Sequence, residues 1–476
     1  MRITKGYMTM RILSLIILIT SSYVWAHNES GVSTISKNWQ MIASFKSENM
    51  MKDFKKLSSL DIDIAGVDHS AKIIDVLISA IDYKVLEKKG FDLTVVQTKG
   101  VSFAPDTEYQ NPDEIEKFVH EVHEKYPSIT KLISIGKSLE GRDIWAIKIS
   151  DNASEKELEE PALLFNSMHH AREVMTPEMG LDIVNTLTQN YGADQKITHW
   201  VDSNEIWVIP MFNVDGNNKM WNEDSWWRKN TRGGYGVDLN RNYPTGWNKC
   251  NGSSGRRTSQ TYRGESPASE PETQAMMNFI ENTRPVFDIS YHSYSELVIY
   301  PFGCRGERTA TKEVVEKIGK KIAKLLDYKP GTAWELLYNA DGGDIDWMYD
   351  AYQVIPYVIE LNSRRQGFHP DYHRWRDVTV ERNKAGWQYL LERVEQSGIR
   401  GQLVKEAKAI SDFTVSVYKI VNGTPSKFQT YVGHKTGMFH IVLNPGKYKL
   451  TFTGSDFTKS VEYVVGDDLL VTTIEL

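Results

Sequence analysis

At 476 residues the chain is too long for one ordinary domain and predicts two or three. Hydrophobic residues make up 40% and charged residues 25%, the balance of a globular protein with a packed core. A formal charge of −6 carries no basic excess, which argues against nucleic acid as a partner.

Residues 1–26 read as an export signal peptide. Arg2, Lys5 and Arg11 precede the apolar run 12–19, and Val24-Trp25-Ala26 fits a cleavage site. That run is too short to span a bilayer permanently, so no stable membrane insertion is expected. The mature protein is therefore expected outside the cytoplasm, secreted or periplasmic. In an exported chain the two cysteines, Cys250 and Cys304, form a possible disulfide. Whether they approach each other cannot be read from their positions.

Residues 38–97 predict strand 40–45, helix 50–57, strands 60–64 and 71–78, helix 83–90 and strand 93–96. That order suggests a small α+β domain of ferredoxin-like type. Residues 98–106 read as a linker, in which Lys99-Gly100 would suit a processing protease.

A larger α/β pattern fills 107–398. It opens with an amphipathic helix over 114–125, whose His120 and His123 fall on a solvated face, and strands over 133–136 and 144–149. Residues 161–167 are apolar for most of their length and predict a buried strand. Thr176-Pro177-Glu178 reads as an N-cap, a proline at the first helical position and an early acid. His170 and Glu173 fall between these signals, just past a strand's carboxyl end, where open α/β sheets carry their chemistry. A histidine and a carboxylate three residues apart can share a metal ion, and two histidines with one glutamate form a zinc set in hydrolases. Alone, that spacing is common by chance and needs support from further residues.

Support accumulates downstream. Arg228 and Arg241 carry permanently charged, fork-shaped guanidinium groups suited to carboxylates and oxyanions, although either alone reads as surface charge. Strand 286–291 ends in His292, a candidate third ligand. Buried strand 356–361 carries Glu360, whose ionised form is costly unless paired or beside a cation. Tyr338 opens a glycine-bearing loop that runs into a short helix. Strands 413–420, 439–443, 448–452 and 461–465 then suggest a small β-sandwich over 400–476.

The stretches His170-Ala-Arg-Glu173, Trp227-Arg-Lys229, Asn240-Arg-Asn242, His292-Ser-Tyr294, Tyr300-Pro-Phe-Gly303, Gly342-Gly-Asp-Ile-Asp-Trp347 and Ile359-Glu-Leu361 together resemble the zinc metallocarboxypeptidases related to pancreatic carboxypeptidase A. The resemblance covers about 107–398 in order and spacing. It implies a mixed-sheet α/β/α catalytic domain holding one zinc ion (Zn2+) through His170, Glu173 and His292, with Asp238 orienting His170. Glu360 matches the general base that takes a proton from zinc-bound water, and Arg228 the partner of the developing oxyanion. Asn240, Arg241 and Tyr338 match the clamp on a substrate's free C-terminal carboxylate, and Arg172 a contact further from the scissile bond. Ile345 matches the pocket floor, which is apolar in A-type enzymes and acidic in those cutting after lysine or arginine. Gly303, Ala333 and Gly343 would leave room for a large side chain, whereas Asp341 and Asp344 are not the usual A-type residues.

The expected activity is release of apolar or aromatic C-terminal residues from peptides and proteins. The alternatives are release of basic residues, hydrolysis of peptidoglycan stem peptides, or an inactive peptide-binding protein. Residues 38–97 resemble the inhibitory prosegment of A-type enzymes, implying a zymogen and an activating protease. Residues 400–476 resemble the transthyretin-like domain of regulatory carboxypeptidases. A monomer is expected.

Overall fold

The computed structural model describes residues 40–98 and 105–476. The expected export signal and the Lys99-Gly100 position lie outside them.

The first body comprises β1 (Gln40–Lys46), α1 (Met50–Ser59), β2 (Asp63–Asp68), β3 (Ile73–Ser79), α2 (Ala80–Lys88) and β4 (Thr94–Thr98). Its antiparallel sheet has the order β2-β3-β1-β4, a ferredoxin-like arrangement. Two limits differ from the sequence reading. Ser79 and Asp82 form a reciprocal capping box, which starts α2 at Ala80 rather than 83. Leu60 closes α1 and Asp61 turns with φ +61°, which delays β2 to Asp63.

The second body is an eight-stranded mixed sheet. Its strands are β5 (Thr130–Lys137), β6 (Asp143–Ile149), β7 (Ala162–Ser167), β8 (Glu205–Ile209), β9 (Phe287–Ser293), β10 (Leu297–Ile299), β11 (Lys329–Gly331) and β12 (Ile355–Leu361). They stand in the order β11-β10-β12-β9-β7-β8-β6-β5. The helices between and around them are α3 (Pro112–Lys125), α4 (Met175–Asn190), α5 (Gln195–Ser203), α6 (Val214–Asn222), α7 (Pro271–Thr283), α8 (Lys312–Leu326), α9 (Ala333–Leu336), α10 (Asp344–Tyr352) and α11 (Tyr372–Arg393). The central run β12-β9-β7-β8 is parallel, and every residue of β7, β8 and β9 is buried. Such strands are apolar without alternation because helices cover both faces. Leu163 and Phe165 pack with α4, α8 and α11, whereas Leu164 joins Met276 of α7 and Trp347 of α10 on the other side.

Helix α4 begins at Met175, and Thr176 is not its cap. Val174 already has helical backbone angles (φ −62°, ψ −19°), and the Thr176 hydroxyl donates to the Glu173 carbonyl. The turn carrying His170 and Glu173 therefore runs directly into the helix, and Pro177 sits within its first turn, where a missing N–H is tolerated.

The third body holds β13 (Gly398–Lys405), β14 (Lys408–Ala409), β15 (Thr414–Val421), β16 (Thr424–Val432), β17 (Met438–Val442), β18 (Gly446–Thr453), β19 (Thr458–Val465) and β20 (Leu469–Glu475). One sheet groups β14, β13, β17 and β20; the other has the order β16-β15-β18-β19. Val415, Val417, Leu450 and Phe452 alternate inward against Ile399, Leu403 and Ile441. Strand β16 escapes a sequence reading because it is mostly exposed and lacks an apolar alternation. The sandwich docks through Arg393 Nη2, which donates to the Leu443 carbonyl at 2.8 Å, and Val432 N–H, which donates to Gln353 Oε1 at 3.0 Å. Among the described residues no helix is long and apolar enough to cross a membrane.

Candidate active site

Three parallel strand ends build the site. Register pairs Glu360 of β12 with His292 of β9, and Ser167 of β7 with Tyr291 of β9. Past Ser167, Met168 takes a left-handed conformation (φ +66°) and turns the chain so that His170 arrives beside His292. Side-chain amides fix this turn: Asn213 donates to the His169 carbonyl at 3.1 Å, and Asn217 to the Ala171 carbonyl at 3.0 Å.

The donor atoms converge. His170 Nδ1 lies 2.7 Å from Glu173 Oε1, His292 Nδ1 lies 3.0 Å from Glu173 Oε2, and the two Nδ1 atoms are 3.1 Å apart. Two ring nitrogens and a carboxylate, all buried and facing one point, form a donor set that a cation satisfies better than protons do. Two imidazoles with one carboxylate suit zinc. Behind His170, Asp238 Oδ1 stands 3.3 Å from Nε2. Its other oxygen accepts from Arg228 Nε at 3.1 Å and Nη2 at 2.9 Å. Burial would raise the Asp238 carboxyl, but Arg228 and His170 overcome it and hold it well below the usual range. Burial likewise opposes ionisation of Glu173, and His170 and His292 outweigh it.

Glu360 is pushed up to about 7, first by burial and then by the Glu173 charge. A carboxyl in that range can both accept and return a proton near neutral pH. Arg228 keeps its charge, since Asp238 outweighs the effect of burial. Asn240 places its amide nitrogen 3.2 Å from His292 Nε2, while its Oδ1 accepts the Asp344 N–H at 3.0 Å. Arg241 donates from Nε to the Gly252 carbonyl at 3.1 Å. Arg172 is fully buried with its guanidinium over the Phe368 ring, and its Nε and Nη2 have no hydrogen-bond partner among the described residues.

Cys250 and Cys304 are bonded to each other. The bond joins the Cys250–Gly252 turn, which supports Arg241, to Gly303 in the pocket wall. Asp341 holds the same turn by accepting Cys250 N–H at 2.9 Å and Gly252 N–H at 3.1 Å. Replacing both cysteines by serine is expected to lower stability by about 4 kcal/mol, given the loop closed over a separation of 54 residues. Urea unfolding measures that loss, and KM for a C-terminal peptide should rise more than kcat falls.

His170, Arg172, Glu173, Arg228, Asn240, Arg241, His292, Tyr338, Ile345 and Glu360 all line one cavity of ≈ 90 Å³. Asp238 stands behind it. Ile345 is 7% exposed and packs beside Ile299, Leu336 and Val358. Gly303 does not open space as the sequence suggested: a Cβ there would lie 2.2 Å from the Ala340 carbonyl oxygen, so its absence permits a backbone approach. Asp341 is committed to the disulfide turn, and Asp344 Oδ2 lies 3.7 Å from His169 Nε2. Burial pushes His169 down to about 4, so that ring is neutral.

The cavity's remaining wall comes from the first body. Ile64, Ala65 and Gly66 of β2 line it, and Asp63 accepts from Arg172 Nη1 at 2.9 Å. Asp61 pairs with Arg256 at 2.8 Å, Asp75 with Arg364 at 2.8 Å, and Val67 N–H donates to Ser295 Oγ at 2.9 Å. Ile345 shares one hydrophobic cluster with Ile64 and Val67. Sequence reasoning missed Asp63 as a partner of Arg172. In Leu60-Asp-Ile-Asp-Ile64 the acids alternate with apolar residues, which puts Asp61 and Asp63 on one side, but nothing there names a partner 109 residues away.

A family model described as zinc carboxypeptidase matches residues 115–383. Carboxypeptidase A1 of pig (Sus scrofa) is 32% identical over 271 residues, covering 54% of this chain and 63% of the pig protein. The chain thus spans under two thirds of that relative. Carboxypeptidase B of cattle (Bos taurus) is 31% identical over 290 residues, covering 57% of this chain and 67% of the bovine protein. Among solved structures, carboxypeptidase A from Helicoverpa armigera superposes with a TM-score of 0.64 at 21% identity, covering 74% of this chain and 95% of that one. Thrombin activatable fibrinolysis inhibitor gives 0.62 at 22% identity, covering 74% and 98%. At those identities the structures establish the shared fold alone.

Proposed function

The chain belongs to the zinc carboxypeptidase family, and from that premise we propose an exported proenzyme that, once its N-terminal body is removed, releases apolar or aromatic residues from peptide C-termini. The observation that carries this reading is the convergence of His170, Glu173 and His292 beside Glu360, with Arg228, Asn240 and Arg241 in the same cavity.

A zinc ion held by His170, Glu173 and His292 would acidify water and polarise the scissile carbonyl. Glu360 takes the proton of the attacking water and passes it to the leaving amine, a role suited to its raised pKa. Arg228, braced by Asp238, stabilises the oxyanion. Asn240, Arg241 and Tyr338 hold the substrate's terminal carboxylate and restrict cleavage to the last bond, and Arg172 reaches a residue further back. Ile345 as floor supports the apolar preference, and Asp341 and Asp344 are engaged elsewhere. Residues 38–97 act as the inhibitory segment, 98–106 as the cleaved linker with Lys99-Gly100 as target, 107–398 as the enzyme and 400–476 as a docking or stabilising domain.

The test is to incubate the protein, trimmed near Lys99, with peptides ending in Phe, Leu, Lys, Arg or Glu and follow mass loss. Release of one Phe or Leu, absent from C-terminally amidated peptides, supports the reading. Preferred release of Lys or Arg overturns the apolar preference, and no release overturns the exopeptidase reading. Ile345→Asp should reverse the ranking of Phe and Arg peptides, because a buried carboxylate at the floor favours a paired cation and penalises an aromatic ring.

A further inference from the structure

We propose that Arg364 is a specificity-determining residue that selects an acidic side chain upstream of the cleaved bond, in the place that Asp75 of the first body now fills; the inference rests on the exopeptidase reading. Arg364 lies in the turn that follows β12 and Glu360. That turn is braced within the α/β body. Ser363 N–H donates to Gln366 Oε1 at 2.7 Å, Gln366 Nε2 to Thr379 Oγ1 of α11 at 2.9 Å, and Asn362 Nδ2 to the Gly367 carbonyl at 3.1 Å. Among the described residues, however, the Arg364 guanidinium donates only to the first body, from Nε to Asp75 Oδ1 at 2.8 Å and from Nη2 to Ser44 Oγ. The other Asp75 oxygen accepts from the Tyr294 hydroxyl.

Arg172, Phe368 and Tyr294 line the cavity that holds Glu360. The Arg172 guanidinium lies 4.2 Å from the Phe368 ring centre, Phe368 meets the Tyr294 ring at 4.8 Å, and Tyr294 shares the Asp75 carboxylate with Arg364. Arg364 therefore stands one side chain beyond the cavity wall. With the terminal carboxylate held by Asn240, Arg241 and Tyr338, the rest of a peptide leaves along the Arg172–Phe368–Tyr294 wall. Strand β2 occupies that exit: Ala65 packs with Tyr294 and Phe368, and Gly66 pairs in register with Asp75. Removal of the first body takes Asp75 and Ser44 away and leaves a braced guanidinium without its acceptors. Charge-assisted hydrogen bonds are roughly twice as strong as neutral ones, so an aspartate or glutamate binds there better than its amide. Burial under the first body raises the Asp75 carboxyl against the pull of Ser44, Arg364 and Tyr294. A substrate acid in the opened cleft meets Arg364 and Tyr294 with less of that burial.

The experiment uses the full chain cleaved near Lys99 and separated from its N-terminal segment. Peptides ending in the residue released best carry one Asp, Asn or Lys at each upstream position in turn. At one position kcat/KM should be about 5–30-fold higher for Asp than for Asn, carried by KM, and the ratio should fall as salt rises. Arg364→Gln should bring the ratio to about 1, and Arg364→Glu should favour Lys there. Equal kcat/KM for Asp and Asn at every position overturns the proposal. So does an Asp preference that survives Arg364→Gln, which would belong to Arg172. Should the variants not fold, the wild-type scan decides: an Asp preference confined to one position and weakened by salt supports the site, and its absence overturns it. No release from any peptide, or equal release from C-terminally amidated ones, instead overturns the exopeptidase reading itself.

Discussion

Glu360→Gln is expected to lower kcat by about 10²–10⁴-fold while zinc content and KM stay close to wild type. Glutamine matches glutamate in size and keeps the position at the end of β12, opposite His292 in register. What it loses is the capacity to take a proton. The three converging donors do not include Glu360, so the metal centre should survive the change. Removing a buried carboxyl that burial and Glu173 press towards neutrality should, if anything, stabilise the fold. Steady-state rates on a peptide ending in Phe, with metal analysis and a melting curve, separate these effects. Undiminished turnover would remove the base from β12.

Gly66→Val should activate the uncleaved chain. A Cβ at Gly66 would lie 2.1 Å from a ring carbon of Tyr294, with the next two atoms of the same ring at 2.6 and 2.8 Å. That ring cannot retreat: it is 3% exposed, packs edge-on against Phe368 at 4.8 Å, and its hydroxyl donates to Asp75 at 3.3 Å. Strand β2 must therefore lift, drawing Ile64 and Ala65 from the cavity and Asp63 from Arg172. Overpacking of this kind costs about 1–3 kcal/mol, equivalent to about 5–150-fold more of the open form. The assay compares uncleaved wild type, uncleaved Gly66→Val and both proteins after trimming. Equal rates for the two uncleaved chains would contradict the inhibitory role of the N-terminal body, whereas the trimmed pair should be indistinguishable.

What the sequence made legible was whatever local chemistry decides. The apolar runs of β7, β9 and β12 announced a sheet covered on both faces, and His170, His292 and Glu360 stand at or just past their carboxyl ends. The cap signal at Thr176 failed because Val174 already has helical angles, so α4 starts one residue before Thr176. Other features depend on distant partners. Asp344 read as a pocket acid until its carboxylate was found beside His169. Gly303 read as vacated space until the Ala340 carbonyl was found against it. The pairing of Cys250 with Cys304 required a fold that brings their Cα atoms to 5.8 Å.

If the N-terminal body inhibits as proposed, the disulfide has a consequence for how that inhibition would end. Both cysteines of the chain belong to the α/β body, so only the stretch 99–104 links it covalently to the body that covers its cleft. On that reading, while the stretch is intact β2 would compete with substrate at an effective concentration of about millimolar order, set by a short tether. One cut turns the same contacts into a bimolecular equilibrium. The released segment would then hold the enzyme only in proportion to its own free concentration, and activity after cleavage is expected to follow dilution: a nicked stock should stay largely silent when concentrated and wake when dispersed.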